Sequence, residues 1–91
     1  MNNATAIGAF AIATQSNSLV LGGISGVNGG TDTNVGIGTT APKAKLDVTG
    51  GNILVGSPGQ GIILKSPNGA TCRLLSIDNL GNMTLAAVAC P

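Results

Sequence analysis

Ninety-one residues allow one ordinary domain or two or three very small ones, and 43% of them are hydrophobic. With one Phe and no Tyr, Trp or His, the chain lacks the side chains that bring most buried area, and His-based triads and His metal sites are excluded. A net charge of +1 with no basic cluster speaks against nucleic acid or an anionic membrane surface as partner. Gly, Asn and Ser interrupt every apolar run before the ~18–20 residues of a membrane span.

Met1-Asn2-Asn3 has neither the basic start nor the apolar stretch of a signal peptide. Met1 directly precedes a repeat already under way, which reads as an initiator on a piece of a longer protein. The repeat is Asn3-Ala4-Thr5-Ala6-Ile7-Gly8, returning as Asn17-Ser18-Leu19-Val20-Leu21-Gly22, with a looser third copy at Thr33-Asn34-Val35-Gly36-Ile37-Gly38. Between the first two, Ala9-Phe10-Ala11-Ile12-Ala13-Thr14 alternates small and apolar residues. A short phrase of β periodicity closed by Gly describes a solenoid coil, which cannot bury its apolar face alone. The region from residue 1 to 30 is therefore one unit, ending in the Gly-rich stretch Gly22 to Gly30.

Residues 31–51 form a connector. Val35-Gly36-Ile37-Gly38 predicts one short strand and Lys45-Leu46-Asp47-Val48-Thr49 another, Leu46 and Val48 making its apolar face. Pro42 and Gly50-Gly51 punctuate the segment. Residues 52–91 read as a β-meander: Ile53-Leu54-Val55, Ile62 to Lys65, Thr71 to Ile77 and Met83 to Cys90. Gly56-Ser57-Pro58-Gly59, Ser66-Pro67-Asn68-Gly69 and Asp78-Asn79-Leu80-Gly81-Asn82 supply the turns, Asn68-Gly69 being the strongest hairpin signal. No window supports a useful helix, so the expected fold class is all-β. An aliphatic core this thin, with 15 Gly to order, is marginal for a lone chain. A core shared between copies is the physical way out, and Ile7, Leu19, Leu21, Ile37, Leu46 and Val48 are its expected members.

The segment Asn3–Gly22 resembles the head repeat of trimeric autotransporter adhesins, with Ala6, Gly8, Ala11, Ala13, Val20 and Gly22 on the pattern and Gln15 where Gly is usual. The segment Asn34–Gly50 is similar to a module of bacteriophage tail fibres and other trimeric bacterial surface fibres, which there precedes a terminal receptor-binding or chaperone domain. Residues 52–91 resemble more loosely the distal tips of mosaic adhesive trimers on predatory bacteria. Together these resemblances imply a homotrimeric fibre end with a short left-handed β-roll, non-enzymatic and without cofactor. It would sit outside the cell or on a virion and meet a surface glycan or protein. A purely structural trimerisation module and a phage tail-fibre tip are the alternatives.

For chemistry, the chain has no Glu, and Asp32, Asp47 and Asp78 lie in different segments, so a paired-carboxylate site within one chain is not expected. Gly36-x-Gly38 and Gly59-x-Gly61 lack the helix and acid of a dinucleotide fingerprint and read as turns. Lys65, Asn68, Arg73, Asp78, Asn79 and Asn82 are the polar groups near the tip loops and form the candidate ligand set. Cys72 opens one strand of the last hairpin and Cys90 closes the other. A symmetric turn pairs residues whose numbers add to about 160, setting Cys90 diagonal to Cys72; a shift of two sets them opposite. Either register allows a disulfide, which would place the protein outside the reducing cytoplasm; two buried thiols are the other reading.

Overall fold

A computed structural model describes residues 2–91. The described chain holds seven strands and no helix: β1 (Ala4–Ile7), β2 (Ser18–Leu21), β3 (Val35–Ile37), β4 (Leu46–Val48), β5 (Ile62–Lys65), β6 (Cys72–Ile77) and β7 (Met83–Val88). The all-β expectation is met. The strands form a parallel β1-β2 pair, a parallel β3-β4 pair and an antiparallel β5-β6-β7 sheet. Contacts divide the chain into two compact units, Met1–Ile53 and Leu54–Pro91.

In the first unit, β1 and β2 pair in parallel with Ala4 opposite Ser18 and Ile7 opposite Leu21, so the ladder offset equals the sequence repeat. The reason the phrase opens on Asn is visible in the backbone. Asn3 and Asn17 both take the left-handed conformation (φ 55° and 57°), which Asn tolerates better than most residues. The Asn3 side-chain amide donates to the Asn17 side-chain oxygen at 3.3 Å, stacking one copy on the next. The phrase closes on Gly for a related reason. Gly8 and Gly22 sit at positive φ, and a Cβ on Gly22 would collide with the Thr33 side chain.

The alternating stretch from Ala9 to Thr14 is not a strand. Phe10 turns the chain at φ 59°, and Ala11 donates to the Gly8 carbonyl at 3.2 Å. Fourteen residues on, Gly23 to Asn28 carry no matching alternation, so no partner strand exists to continue the ladder. The third copy, in the connector, does not extend the ladder. Its β3 pairs with β4 (Val35 opposite Leu46, Ile37 opposite Val48) and not with β2. The Gly-rich stretch stands between them, and the Gly23 N–H is taken by the Thr33 hydroxyl at 3.2 Å.

In the second unit, β6 is the central strand. Ile63 lies opposite Leu74 on one side, and Leu75 lies opposite Leu85 on the other. Ile53-Leu54-Val55, expected as a strand, has no ladder partner and stands exposed. Cys72 is the only buried apolar side chain among the described residues, at 2% exposure. A conventional core is thus missing from both units.

Candidate functional site

The six residues expected to form a shared core gather into two faces. In the β1-β2 pair, Ile7, Leu19 and Leu21 occupy one side together with Thr5, because alternate residues share a face and partners share a side. In the β3-β4 pair, Ile37, Leu46 and Val48 join Val35, while Gly36 and Asp47 take the other side. Val48 is half-buried and the other five are exposed in the single chain.

The candidate ligand residues do not converge. Lys65, Asn68 and Arg73 lie at the end of the sheet where β5 turns into β6, whereas Asp78, Asn79 and Asn82 lie at the other end, where β6 turns into β7. A strand the length of β6 separates the two groups by about 17 Å. One chain therefore offers two small polar groups instead of one site.

Three of the six, Asn68, Asp78 and Asn82, are engaged by their own turns. The Asn68 side-chain oxygen accepts from the Ser66 hydroxyl at 2.7 Å and from the Ala70 N–H at 3.0 Å. Asp78 Oδ1 accepts the Leu80 and Asn82 N–H groups at 2.9 Å each, and the Asn82 amide reaches Asp78 Oδ2 at 3.5 Å. The Asn82 N–H bond is the main reason the Asp78 carboxyl lies below its ordinary value, against an opposing contribution from desolvation. Asp47 is lowered likewise, first by the Lys43 N–H at 3.0 Å and then by the Thr49 hydroxyl at 2.7 Å. Lys65, Arg73 and Asn79 are the remaining exposed members. Composition alone could not separate turn acceptors from ligand groups. The Asx pattern of Asp78, two residues before Leu80, was the signal that distinguishes them.

A depressed carboxyl favours the fold only while ionised. The contribution is complete above the unfolded value of about 4 and disappears as pH falls through the lower folded value. The melting midpoint should accordingly fall as pH drops below about 4. Asp78→Ala should lower the midpoint at pH 7 and flatten that acid limb, as read by circular dichroism across a pH series; an acid limb unchanged in Asp78→Ala would remove Asp78 from this role.

The Cys72–Cys90 disulfide joins the start of β6 to the residues after β7, with a Cα–Cα distance of 5.1 Å. Cys72 is opposite Val88, so the symmetric register holds and Cys90 is the diagonal neighbour. The bond closes the open end of the hairpin, at the same end as Lys65 and Asn68.

Among the described residues no group of His, Cys, Asp and Glu is placed to hold a metal ion. Comparisons with protein-family models, with curated proteins and with solved structures return no match for this chain.

Proposed function

We propose that this chain is the end of a homotrimeric extracellular fibre, in which the first unit is a short β-roll stalk and the second a disulfide-stapled tip that meets a target surface. The observation that carries the reading is the parallel β1-β2 ladder at the repeat spacing with its apolar side uncovered. Such a ladder is the elementary step of a solenoid, and a face of Ile7, Leu19 and Leu21 left in water calls for further copies. The resemblance to adhesin head repeats and tail-fibre modules supplies the rest: trimeric, non-enzymatic and adhesive, in a bacterial or phage setting. The disulfide supports a location outside a reducing compartment.

A polar glycan or protein surface is the ligand class, bound by the exposed Lys65 and Asn79 and the free amide of Asn68. Each contact is weak, and three copies per fibre multiply the affinity. A second reading, a structural trimerisation cap with no ligand, is favoured by one observation: the candidate polar residues sit at opposite sheet ends, and three of the six serve their own turns. Two measurements on the whole chain separate the readings. Light scattering should return three times the 8.8 kDa chain mass at micromolar concentration. A glycan array or cell-binding assay should then give a signal that Lys65→Ala and Asn79→Ala reduce. A single-chain mass overturns the fibre; a trimer that binds nothing selects the structural cap.

A further inference from the structure

The alternation of β6, paired on both sides, assigns the residues of the C-terminal sheet to two faces. One face carries Ile63, Leu74, Ala86 and Val88 beside Lys65, Ser76 and Thr84; there Cys72 is buried and Leu74, Ser76, Thr84 and Val88 are half-buried. The other carries Ile62, Leu64, Leu75, Ile77, Met83 and Leu85, with Arg73 as its one charge. This second face is open: Ile77 is 64% exposed and Met83 75%.

The chain exposes 7045 Å², whereas a folded monomer of its mass exposes about 4,800 Å² and two independent halves together about 5,750 Å². The excess of roughly 1,300–2,300 Å² brackets what two interfaces of about 800 Å² per partner remove, the number each chain makes in a closed three-fold ring. An apolar face of this kind marks a surface for association, and the partner always at hand is another copy. A glycan would find no aromatic platform and one cation there.

Resting on the trimeric reading above, we propose that the face of Ile62, Leu64, Leu75, Ile77, Met83 and Leu85 is the surface on which copies of the tip pack against each other, so that Arg73 belongs to the self-interface and not to a ligand site. Arg73 stands one position from the start of β6, near the sheet's end. There its stem covers apolar surface while the guanidinium stays wet at the rim.

Met83 gives a test that needs no mutation. In the native full chain, hydrogen peroxide should oxidise Met83 at least about tenfold more slowly than in the urea-unfolded chain, read by peptide mass spectrometry. Two neighbouring substitutions on β7 provide the second arm. Leu85→Asp, on the proposed face, should dissociate the trimer or lower its melting; Ala86→Asp, one residue on and on the opposite face, should leave both as in the wild type. A wild type that is monomeric by light scattering overturns the trimeric reading and this assignment together. A trimer whose Met83 oxidises at the unfolded rate, or that tolerates Leu85→Asp as well as Ala86→Asp, overturns the face assignment alone.

Discussion

Reducing the Cys72–Cys90 bond, or replacing both residues by Ser, should lower the unfolding midpoint of the C-terminal unit by roughly 10 °C or more. The two residues are 18 apart in sequence, and closing a loop of that length is worth about 3 kcal/mol on the chain-entropy model. That is a large share for a unit spanning Leu54–Pro91 whose only buried apolar side chain is Cys72 itself. The hairpin turn at Asp78–Asn82 is secured by its own hydrogen bonds, so the loss should begin at the opposite, open end, beside Val88. Thermal melts by circular dichroism with and without a phosphine reductant read the effect. The unreduced protein should weigh two hydrogens less per chain than the reduced form, with no disulfide-linked dimer or trimer. An unchanged midpoint on reduction would show that the sheet does not depend on the bond.

Leu21→Asp should abolish assembly while leaving the C-terminal unit folded. Leu21 is the last residue of β2, opposite Ile7, and 48% exposed in the single chain. An aspartate there costs little in a lone chain, because it stays in water. In a three-chain interface it costs several kcal/mol in each copy, because the carboxylate is desolvated without a partner. The asymmetry makes the experiment decisive: sedimentation should show the mass falling to that of one chain. A trimer of unchanged melting would mean that the β1-β2 face looks outward.

Where the sequence carried its own punctuation, the structure could be read from it. Asp78, Gly81 and the apolar runs on either side defined the last hairpin and its faces but left two registers two residues apart, both keeping the faces consistent, of which the structure has the symmetric one. The repeat offset likewise became the β1-β2 ladder. Periodicity does not reveal whether a neighbour exists to complete a strand. Ile53-Leu54-Val55 has strand composition and no partner, and the third copy exchanges β2 for β4 because a Gly-rich insertion intervenes. In the candidate site, Asn68, Asp78 and Asn82 looked like ligand groups by type, but the polarity of a tight turn is mostly spent on closing the turn. The sheet-face polarity that places Arg73 among aliphatic residues was implicit in the alternation of β6 and became legible once the register was known.

The stacked asparagines have a consequence for how the proposed stalk would change length. Asn3 and Asn17 mark the same corner of successive turns, and each turn ends on a Gly that lets the next begin. Inserting one whole turn moves everything beyond it by a single strand spacing of about 4.8 Å and leaves every corner, face and amide contact in phase. Inserting one residue moves the chain hardly at all, yet it takes an Asn out of its left-handed corner and turns apolar side chains to the opposite face. In the fibre proposed above, reach would thereby be quantised, adjustable in small, structurally silent increments of one repeat.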